Sequence, residues 1–475
     1  MEKIDLKTIT ELRLELKVSQ AKLARLSGVS AYRISAFELG ANSPSEEELQ
    51  KMYQCLLKIK SDAETKGIDV NKKKIVHYDC SVSKELPVQI KNKKQYYELL
   101  NGRDFEINDY SLLLKQIYEN GQKKKDNNAP KGIALFSGCG GLTQGFESAG
   151  YNIVGHLDIE DSANRIYHDN FPDSELLGTD ITKITNEEIL SWKTKFKKID
   201  IVIGGPPCQG FSLAGKRDPN DARNELYKYY VNIISILRPK LFVMENVQQM
   251  TTMKDSDGNL FIKRIKEAFD SIGYSLNINF VNAADYGVPQ TRERVIIIGY
   301  DRNLKVGDLS LPTKTEFVGN WRSFRDCAGD LPSLESGEKS TDPLHFAIKH
   351  PQHVIDWLID VPEGHSAHEN ADPTKRPPSG FNTTYKRIEW DKPCSTISTN
   401  FSMISGCRNV HPTNTRSLTI REATRAQSFA DEFVFCGRWG DIRKAIGNAV
   451  PPILALYIAN HLKRIFLQDD KNNLI

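Results

Sequence analysis

A cysteine stands directly after two prolines in the stretch Gly204-Gly205-Pro206-Pro207-Cys208-Gln209-Gly210-Phe211-Ser212. It follows the apolar run Ile199–Ile203, which reads as a short buried strand that Gly-Gly-Pro-Pro stops and turns. Proline's fixed φ stiffens such a loop, and the glycines let a backbone or a ligand approach closely. In open α/β sheets, ligands bind in the crevice outside the carboxyl ends of the strands. Cys208 is therefore a candidate nucleophile. A buried packing thiol is the plainer reading, because free cysteine is among the most buried residue types.

Three further elements bear on that choice. Leu241-Phe242-Val243-Met244 reads as a second buried strand ending in Glu245-Asn246-Val247, and Gln290-Thr291-Arg292-Glu293-Arg294 leads into the strand Val295–Ile298. Upstream, Ile133-Ala134-Leu135-Phe136 ends in Ser137-Gly138-Cys139-Gly140-Gly141 and a helix-like stretch from Leu142 to Ala149. A thiol, a carboxylate and a guanidinium thus fall at strand ends beside a glycine-rich strand-to-helix turn. Singly, Glu245 could cap a helix, Arg294 could pair at the surface, and the glycines could be a mere tight turn. Such a turn could also hold a dinucleotide. Against that, no Gly-x-Gly-x-x-Gly is present at this turn, and a Pro-Pro-Cys loop has no part in hydride transfer.

Taken in order, these segments make the chain resemble the DNA (cytosine-5)-methyltransferases over residues from about 131 to 467. Phe136 to Gly141 matches the family's cofactor loop, and Asp158-Ile159-Glu160 the acidic end of its second strand. Gly178-Thr179-Asp180-Ile181, the Cys208 loop, Arg223-Asn224-Glu225-Leu226, Glu245-Asn246-Val247 and Gln290 to Arg294 follow. Arg421 to Gln427 and Gly447-Asn448-Ala449-Val450-Pro451-Pro452 close the series. Two positions depart from the pattern: Ala134 replaces the usual Asp, and Lys444 stands where Gln is frequent.

The resemblance implies an α/β fold: a Rossmann-like, S-adenosylmethionine-dependent methyltransferase sheet with a smaller, irregular target-recognition domain. It implies double-stranded DNA as the partner, and the modification half of a bacterial restriction–modification system as the role. Cytosine's carbon 5 is a poor nucleophile until a thiolate adds to carbon 6 and breaks the aromaticity. That is the part implied for Cys208, helped by positive charge from Arg292 or Arg294. Glu245, protonated or sharing a proton, would hydrogen-bond ring nitrogen 3 and the exocyclic amine. The base has to leave the duplex, at a cost of roughly a few kcal/mol. Gln209 and the loop Gly210–Asp221, with Lys216 and Arg217, would close over the DNA. For the cofactor the resemblance implies Phe136, Gly138, Gly140, Asp158 (on the ribose hydroxyls), Ile159, Asp180 and Ile181 (at the adenine). Pro207, Leu226, Asn448 and Val450 would line the rest. A tRNA cytosine-5-methyltransferase and a catalytically dead DNA-binding regulator are the rival readings.

At 475 residues the chain is long enough for two or three cores. A hydrophobic content of 39% with 26% charged residues describes a soluble globular protein. No apolar run approaches the ~20 residues needed to cross a bilayer, and no apolar secretory segment follows Met1. Eight cysteines without a Cys-x-x-Cys pair argue for no metal site, no disulfide framework and a reducing, cytoplasmic setting. A net charge of +3 permits a nucleic-acid partner without proving one.

Residues 1–60 read as a separate all-helical unit. Ser19 opens a short helix, Gly28 breaks it, and Ser30 caps a second helix from Ala31 to Leu39, the signature of a helix-turn-helix. With Glu38-Leu39-Gly40 and Pro44-Ser45 it resembles the Cro/repressor-like DNA-binding domains. That implies Tyr32, Arg33 and Ser35 facing base edges and Gln20 near a phosphate. Such a unit would bind operator DNA as an autorepressor and could pair two chains; a helical bundle used only for dimerisation or packing is the alternative. Residues 61–130, punctuated by lysine runs, read as a linker region with one helix-like run, Tyr110–Tyr118, and a flexible end from Gly121 to Pro130. Alternating strands and helices place the catalytic domain at 131–304. The Pro-, His- and Trp-rich stretch 305–415 is the expected target-recognition domain, and 416–475 returns to the catalytic domain.

Overall fold

The computed structural model describes residues 5–16, 18, 23, 26–29, 33–34, 37, 43–65, 90, 92–207, 225–254, 258–304, 306, 308–312, 315–378, 381 and 383–472. The chain forms two compact units, Met1–Cys80 and Ser81–Ile475.

In the larger unit the apolar runs become β1 (Lys131–Leu135), β2 (Asn152–Leu157), β3 (Glu175–Leu176), β4 (Ile201–Gly204), β5 (Leu241–Asn246), β6 (Tyr274–Asn282) and β8 (Glu293–Asp301). They make one seven-stranded sheet in the order β3-β2-β1-β4-β5-β8-β6. β1 to β5 pair in parallel, whereas β8 runs antiparallel to both β5 and β6. The central strands are buried on both faces, which is why they read as continuous Val/Ile/Leu runs rather than alternating ones. Ala134, Ile203, Val243 and Ile296 serve one core; Leu135, Val202, Met244 and Val295 serve the other. Strand order reverses at β1, whose neighbours are β2 and β4. A crevice therefore opens at the carboxyl ends of β1 and β4, the topological switch point.

The helix Gly141–Ser148 follows β1 and packs against the helix Pro452–Asn472. A Cβ at Gly145 would run into the backbone at Ala455 and Leu456, so the two helices meet at contact distance only because Gly145 has no side chain. The hydroxyl of Tyr151 donates to the Ala459 carbonyl at 3.0 Å and fastens the return of the chain.

The stretch expected as a linker is, from Asn92 onward, part of this unit. Two helices, Lys93–Asn101 and Asp109–Gln122, sink Tyr96, Leu100, Tyr110, Leu114 and Tyr118 into the same core as β1. Asn92 and Asn108 cap their first turns. The flexible end is corrected too: Lys125 donates to the carbonyls of Gly121 and Glu147, both at 2.8 Å, and pairs with the Glu147 carboxylate. The helix-like run Tyr110–Tyr118 was legible in the sequence; that both helices join this core was not, because their packing partners lie far along the chain.

Residues 305–415 are largely irregular, as expected, with the short helices Phe324–Ala328 and Gln352–Leu358. Leu358, Val361, Ala367, Tyr385, Ile404 and Val410 form a satellite core there. A small parallel pair, β7 (Gln290–Thr291) with β9 (Cys394–Ser395), joins this region to the start of β8.

In the smaller unit the helices Leu6–Glu15 and Glu46–Thr65 surround a core of Ile9, Leu16, Leu23, Val29, Ile34, Phe37, Met52 and Leu56. Ser45 and Glu48 form a reciprocal cap at the start of the second of these helices. Arg33, expected to face base edges, has an intramolecular partner: its Nε and Nη2 donate to Glu48 at 2.7 and 3.0 Å. The Arg33 hydrogen bond lowers the Glu48 carboxyl to about 2. Gln20, Tyr32 and Ser35 lie outside the described residues.

Candidate active site

β4 and β5 lie side by side in parallel, so their carboxyl ends open on the same edge of the sheet. The β4 end continues into Gly205, Pro206 and Pro207. The next residue, Cys208, lies outside the described residues, as do Gln209, Lys216 and Arg217. The stem that leads to it is held from β5. Buried Asn246 donates its side-chain amide to the Pro206 carbonyl at 3.0 Å, and its own oxygen takes the Val247 N–H at 2.8 Å. Asn246 stood in the recognised Glu-Asn-Val run but had no role assigned from sequence; an amide beside a proline-rich stem was the signal.

Glu245 sits at the same end of β5. Its Oε1 pairs with Arg294 Nε at 2.8 Å, and both side chains are largely buried. A Cβ built at Gly205 would stand 3.1 Å from Glu245 Oε2, so the glycine gives that carboxylate its room beside the stem. The antiparallel register of β5 and β8, with Glu245 opposite Ile296, puts Arg294 within reach.

Arg292 is placed differently. Fully buried, it donates to the carbonyls of Ile397 (3.2 Å), Gly447 (3.3 Å) and Ala449 (3.0 Å). Burial first, and the neighbouring Arg294 second, push its guanidinium well below the usual range. Its geometry is that of a strut tying β7–β8 to the Ile397 loop and to the carboxyl end of the helix Trp439–Asn448; the arginine that meets the carboxylate is Arg294. Gln290 works beside it: its amide nitrogen donates to Ala426 and to Gln427, and its oxygen takes the Ile397 N–H at 2.8 Å.

At the carboxyl ends of β1, β2 and β3 the cradle implied for the cofactor is assembled. Phe136 adopts φ 51°, Gly138 φ 53° and Gly140 φ 96°, so three of five consecutive residues lie in the left-handed region. Only glycine tolerates the last of these here, because a Cβ at Gly140 would strike the Phe171 ring. Asp158 closes the turn: Oδ2 accepts the Gly138 N–H at 2.8 Å and Oδ1 the Glu160 N–H at 2.9 Å. Burial raises its carboxyl above the ordinary range. Ile159, next along, is 67% exposed, an unusual display for so apolar a side chain. Asp180 accepts from the Thr182 N–H and hydroxyl and caps the turn Ile181–Lys183; the Thr182 hydroxyl is the first cause of its lowered carboxyl. That turn packs against the helix Leu226–Leu237, whose first residue is half-buried. Val450 reaches the glycine turn itself, since a Cβ at Gly141 would collide with the Val450 carbonyl. Asn448 is exposed at the end of the helix Trp439–Asn448. Lys444, the departure noted above, pairs with Glu160 at 2.7 Å and so borders the same cradle.

The residues fit an adenosyl sulfonium ligand. Among the described residues, the Ser137 hydroxyl is buried without a hydrogen-bond partner, and nothing lies within 4 Å of where a Gly138 side chain would begin. Cys139 does not face that role: it is buried, its thiol is directed at the Ala445 carbonyl 3.6 Å away, and burial pushes it up to about 12.

The family model for C-5 cytosine-specific DNA methylases matches residues 130–464, and a helix-turn-helix model matches residues 9–55. Type II methyltransferase M1.HphI of Haemophilus parahaemolyticus is 36% identical over 330 residues, spanning 69% of this chain and 85% of the relative. M.DdeI of Desulfomicrobium norvegicum is 33% identical over 375 residues, spanning 70% and 88%. Among solved structures, the Entamoeba histolytica methyltransferase EhMeth shares the fold, with a TM-score of 0.50 and 18% identity over 73% of this chain and 99% of that one. Ordered motifs, the switch-point cradle and the Glu245–Arg294 pair agree with these matches: the chain belongs to the C-5 cytosine-specific DNA methylase family and carries a helix-turn-helix unit at its amino-terminal end.

Proposed function

We propose that this DNA cytosine methyltransferase uses Cys208 as its nucleophile, and that the Glu245–Arg294 pair beside the Gly205–Pro207 stem is the observation carrying that reading. The Cys208 thiolate adds to carbon 6 of a cytosine swung out of duplex DNA, and electron density moves toward ring nitrogen 3 and carbon 5. Glu245 lends a proton to nitrogen 3 and accepts from the exocyclic amine, with Arg294 fixing the carboxylate's orientation. S-adenosylmethionine, when bound, would supply the electrophilic methyl group that carbon 5 accepts, leaving as S-adenosylhomocysteine. Loss of the carbon-5 proton to a base then restores the ring and expels Cys208 as thiolate. Asp158 has lone pairs left for a ribose diol, the Gly138–Gly140 turn offers open backbone, and exposed Ile159 offers an apolar face to an adenine.

Pro207, Leu226, Asn448 and Val450 complete the proposed cofactor wall, with Asp180 and Ile181 at its adenine end. Residues 305–415 would read the target sequence, with Gln209, Lys216 and Arg217 meeting the DNA from the other side. The helix-turn-helix unit would bind operator DNA and repress transcription. A footprint that survives Cys208→Ser but vanishes when residues 1–60 are removed supports this second activity; equal footprints refute it. The modification half of a restriction–modification system is the biological setting this reading implies.

Duplex DNA carrying 5-fluorocytosine at the target position tests the chemistry. With S-adenosylmethionine present, wild type becomes covalently trapped because fluorine cannot leave as the proton does, whereas Cys208→Ser does not. An untrapped wild type that still methylates ordinary DNA overturns the mechanism.

A further inference from the structure

The two edges of the seven-stranded sheet are built differently. At one, β3 is only two residues long and its Glu175 pairs with Lys195, a short, charged form that discourages further pairing. At the other, β6 runs nine residues, Tyr274 to Asn282, without a proline, a glycine or a charged side chain. Its register with β8 is unbroken, so no bulge bends it away. Nothing in this strand blunts the edge against another strand.

The register also fixes which backbone groups face outward. The Arg302 N–H donates to the Gly273 carbonyl at 3.1 Å, and the Ala283 N–H to the Arg292 carbonyl at 2.9 Å. Hydrogen-bonded pairs alternate along an antiparallel ladder, so the odd-numbered residues of β6 exchange bonds with β8. Leu276, Ile278 and Phe280 therefore turn N–H and C=O away from the sheet, and among the described residues no hydrogen bond reaches those groups. Ile278 and Phe280 stand opposite the buried Ile297 and Val295, yet they are 36% and 59% exposed. The odd-numbered side chains are occupied: Asn277 donates to the Ser310 hydroxyl at 3.1 Å, and Asn279 accepts the Leu311 N–H at 2.8 Å. What stays open is an uncharged apolar row together with its unpaired backbone.

We propose that this edge pairs with the same edge of a second copy of the chain, antiparallel about a two-fold axis at Ile278, so that the two sheets continue into one. With that centre, Leu276 of each copy meets Phe280 of the other, and Ile278 meets Ile278. Even residues stay opposite even residues, so each outward N–H finds an outward C=O along a ladder of about 30 Å. Charge selects the same occupant. A strand carrying Lys or Glu would set that charge among Leu276, Ile278 and Phe280, whereas a second β6 brings none. The helix-turn-helix match gives such a pair a use, because these units read two half-sites as dimers.

Sedimentation velocity on the full chain over a concentration series tests the pairing. Wild type is expected to form a dimer, and Ile278→Lys, which sets two like charges at the axis, to weaken self-association at least about thirtyfold. Phe280→Lys should act likewise. Both positions already face solvent, so methyl transfer at saturating duplex and the thermal unfolding midpoint should stay those of wild type. The register has its own test. Facing residues of a hydrogen-bonded antiparallel pair have Cα atoms about 5.5 Å apart, within disulfide reach. Diamide oxidation should therefore link two copies through Ile278→Cys, and not through Leu190→Cys, which is 51% exposed on the helix Asn186–Phe196. A wild type that stays monomeric, a dimer that survives Ile278→Lys, or no link from Ile278→Cys beyond that of wild type overturns the proposal.

Discussion

Glu245 on β5 and Arg294 on the antiparallel neighbour β8 meet at 2.8 Å, at the strand ends that face the proline-rich stem. Because both are largely buried, removing one partner leaves a charge with little water around it. Glu245→Gln keeps shape and size but loses the transferable proton. Its single-turnover methylation rate is expected to fall about 10²- to 10⁴-fold while duplex affinity holds. A rate within tenfold of wild type would show that the carboxyl does not serve nitrogen 3.

The helices at 92–122 should prove inseparable from the catalytic unit. Arg103 pairs with Asp431 and lies 3.5 Å from Asp342, and the Tyr96 hydroxyl both accepts from Arg421 at 2.9 Å and donates to the Asp431 carbonyl. Burial opposes ionisation of Asp431, but Arg421 and Arg425 outweigh it and hold the carboxyl far below its usual range. With those two arginines left in place, Arg103→Met is expected to lower unfolding stability by about 1–3 kcal/mol in urea titration. Removing residues 1–129 should abolish soluble enzyme, whereas removing residues 1–60 should not. Active protein from the longer truncation would contradict the packing described.

Acid should destabilise the larger unit through its buried histidines while its arginine-paired carboxylates stay ionised. Burial is the first cause in each case, lowering His156 and His350 to about 4 and His411 to about 3. These values lie below the unfolded value of about 6.5, so each histidine's contribution is complete above that pH and is lost as pH falls toward 4. Each can lower stability by up to about 1.4 kcal/mol per pH unit in that window. Glu422 and Asp431, held low by arginines that outweigh burial, stay ionised throughout it. Thermal unfolding between pH 7 and 5 should show a falling Tm; a flat profile would mean these rings are solvated.

Gly447→Ala probes the junction of cofactor wall and recognition loop. The new methyl would run into the backbone of Ser398 and Thr399, which has no side chain to swing aside. Overpacking of this kind typically costs about 1–3 kcal/mol. Here it should also push the Ile397–Met403 segment, raising the KM for DNA more than that for S-adenosylmethionine. Equal effects on both would place the strain on the cofactor side.

Much of the candidate site was legible because motifs at strand ends report where each element stops. The glycine turn, Asp158, Glu245 and Arg294 all stand where the strand assignments put them. Arg292 and Arg294 were not distinguishable in this way. Two arginines two residues apart look equivalent until the fold shows one donating to three backbone carbonyls and the other to a carboxylate. The Arg33–Glu48 pair was not legible for a similar reason: the two residues stand fifteen apart, beyond any local pattern.

What the amino-acid order determined by itself was local: which runs are strands, where glycine must break them, and which reactive groups end each run. Those properties depend on side-chain shape and φ preference within a few residues. The tertiary structure alone decided which distant charges share a buried space. It decided that 92–122 belongs to the catalytic core, that Asn246 grips the Pro206 carbonyl, and that Gly447 abuts Thr399. Such pairings follow from desolvation and close packing between segments from about forty to more than three hundred residues apart, and no short window of sequence contains both sides of the contact.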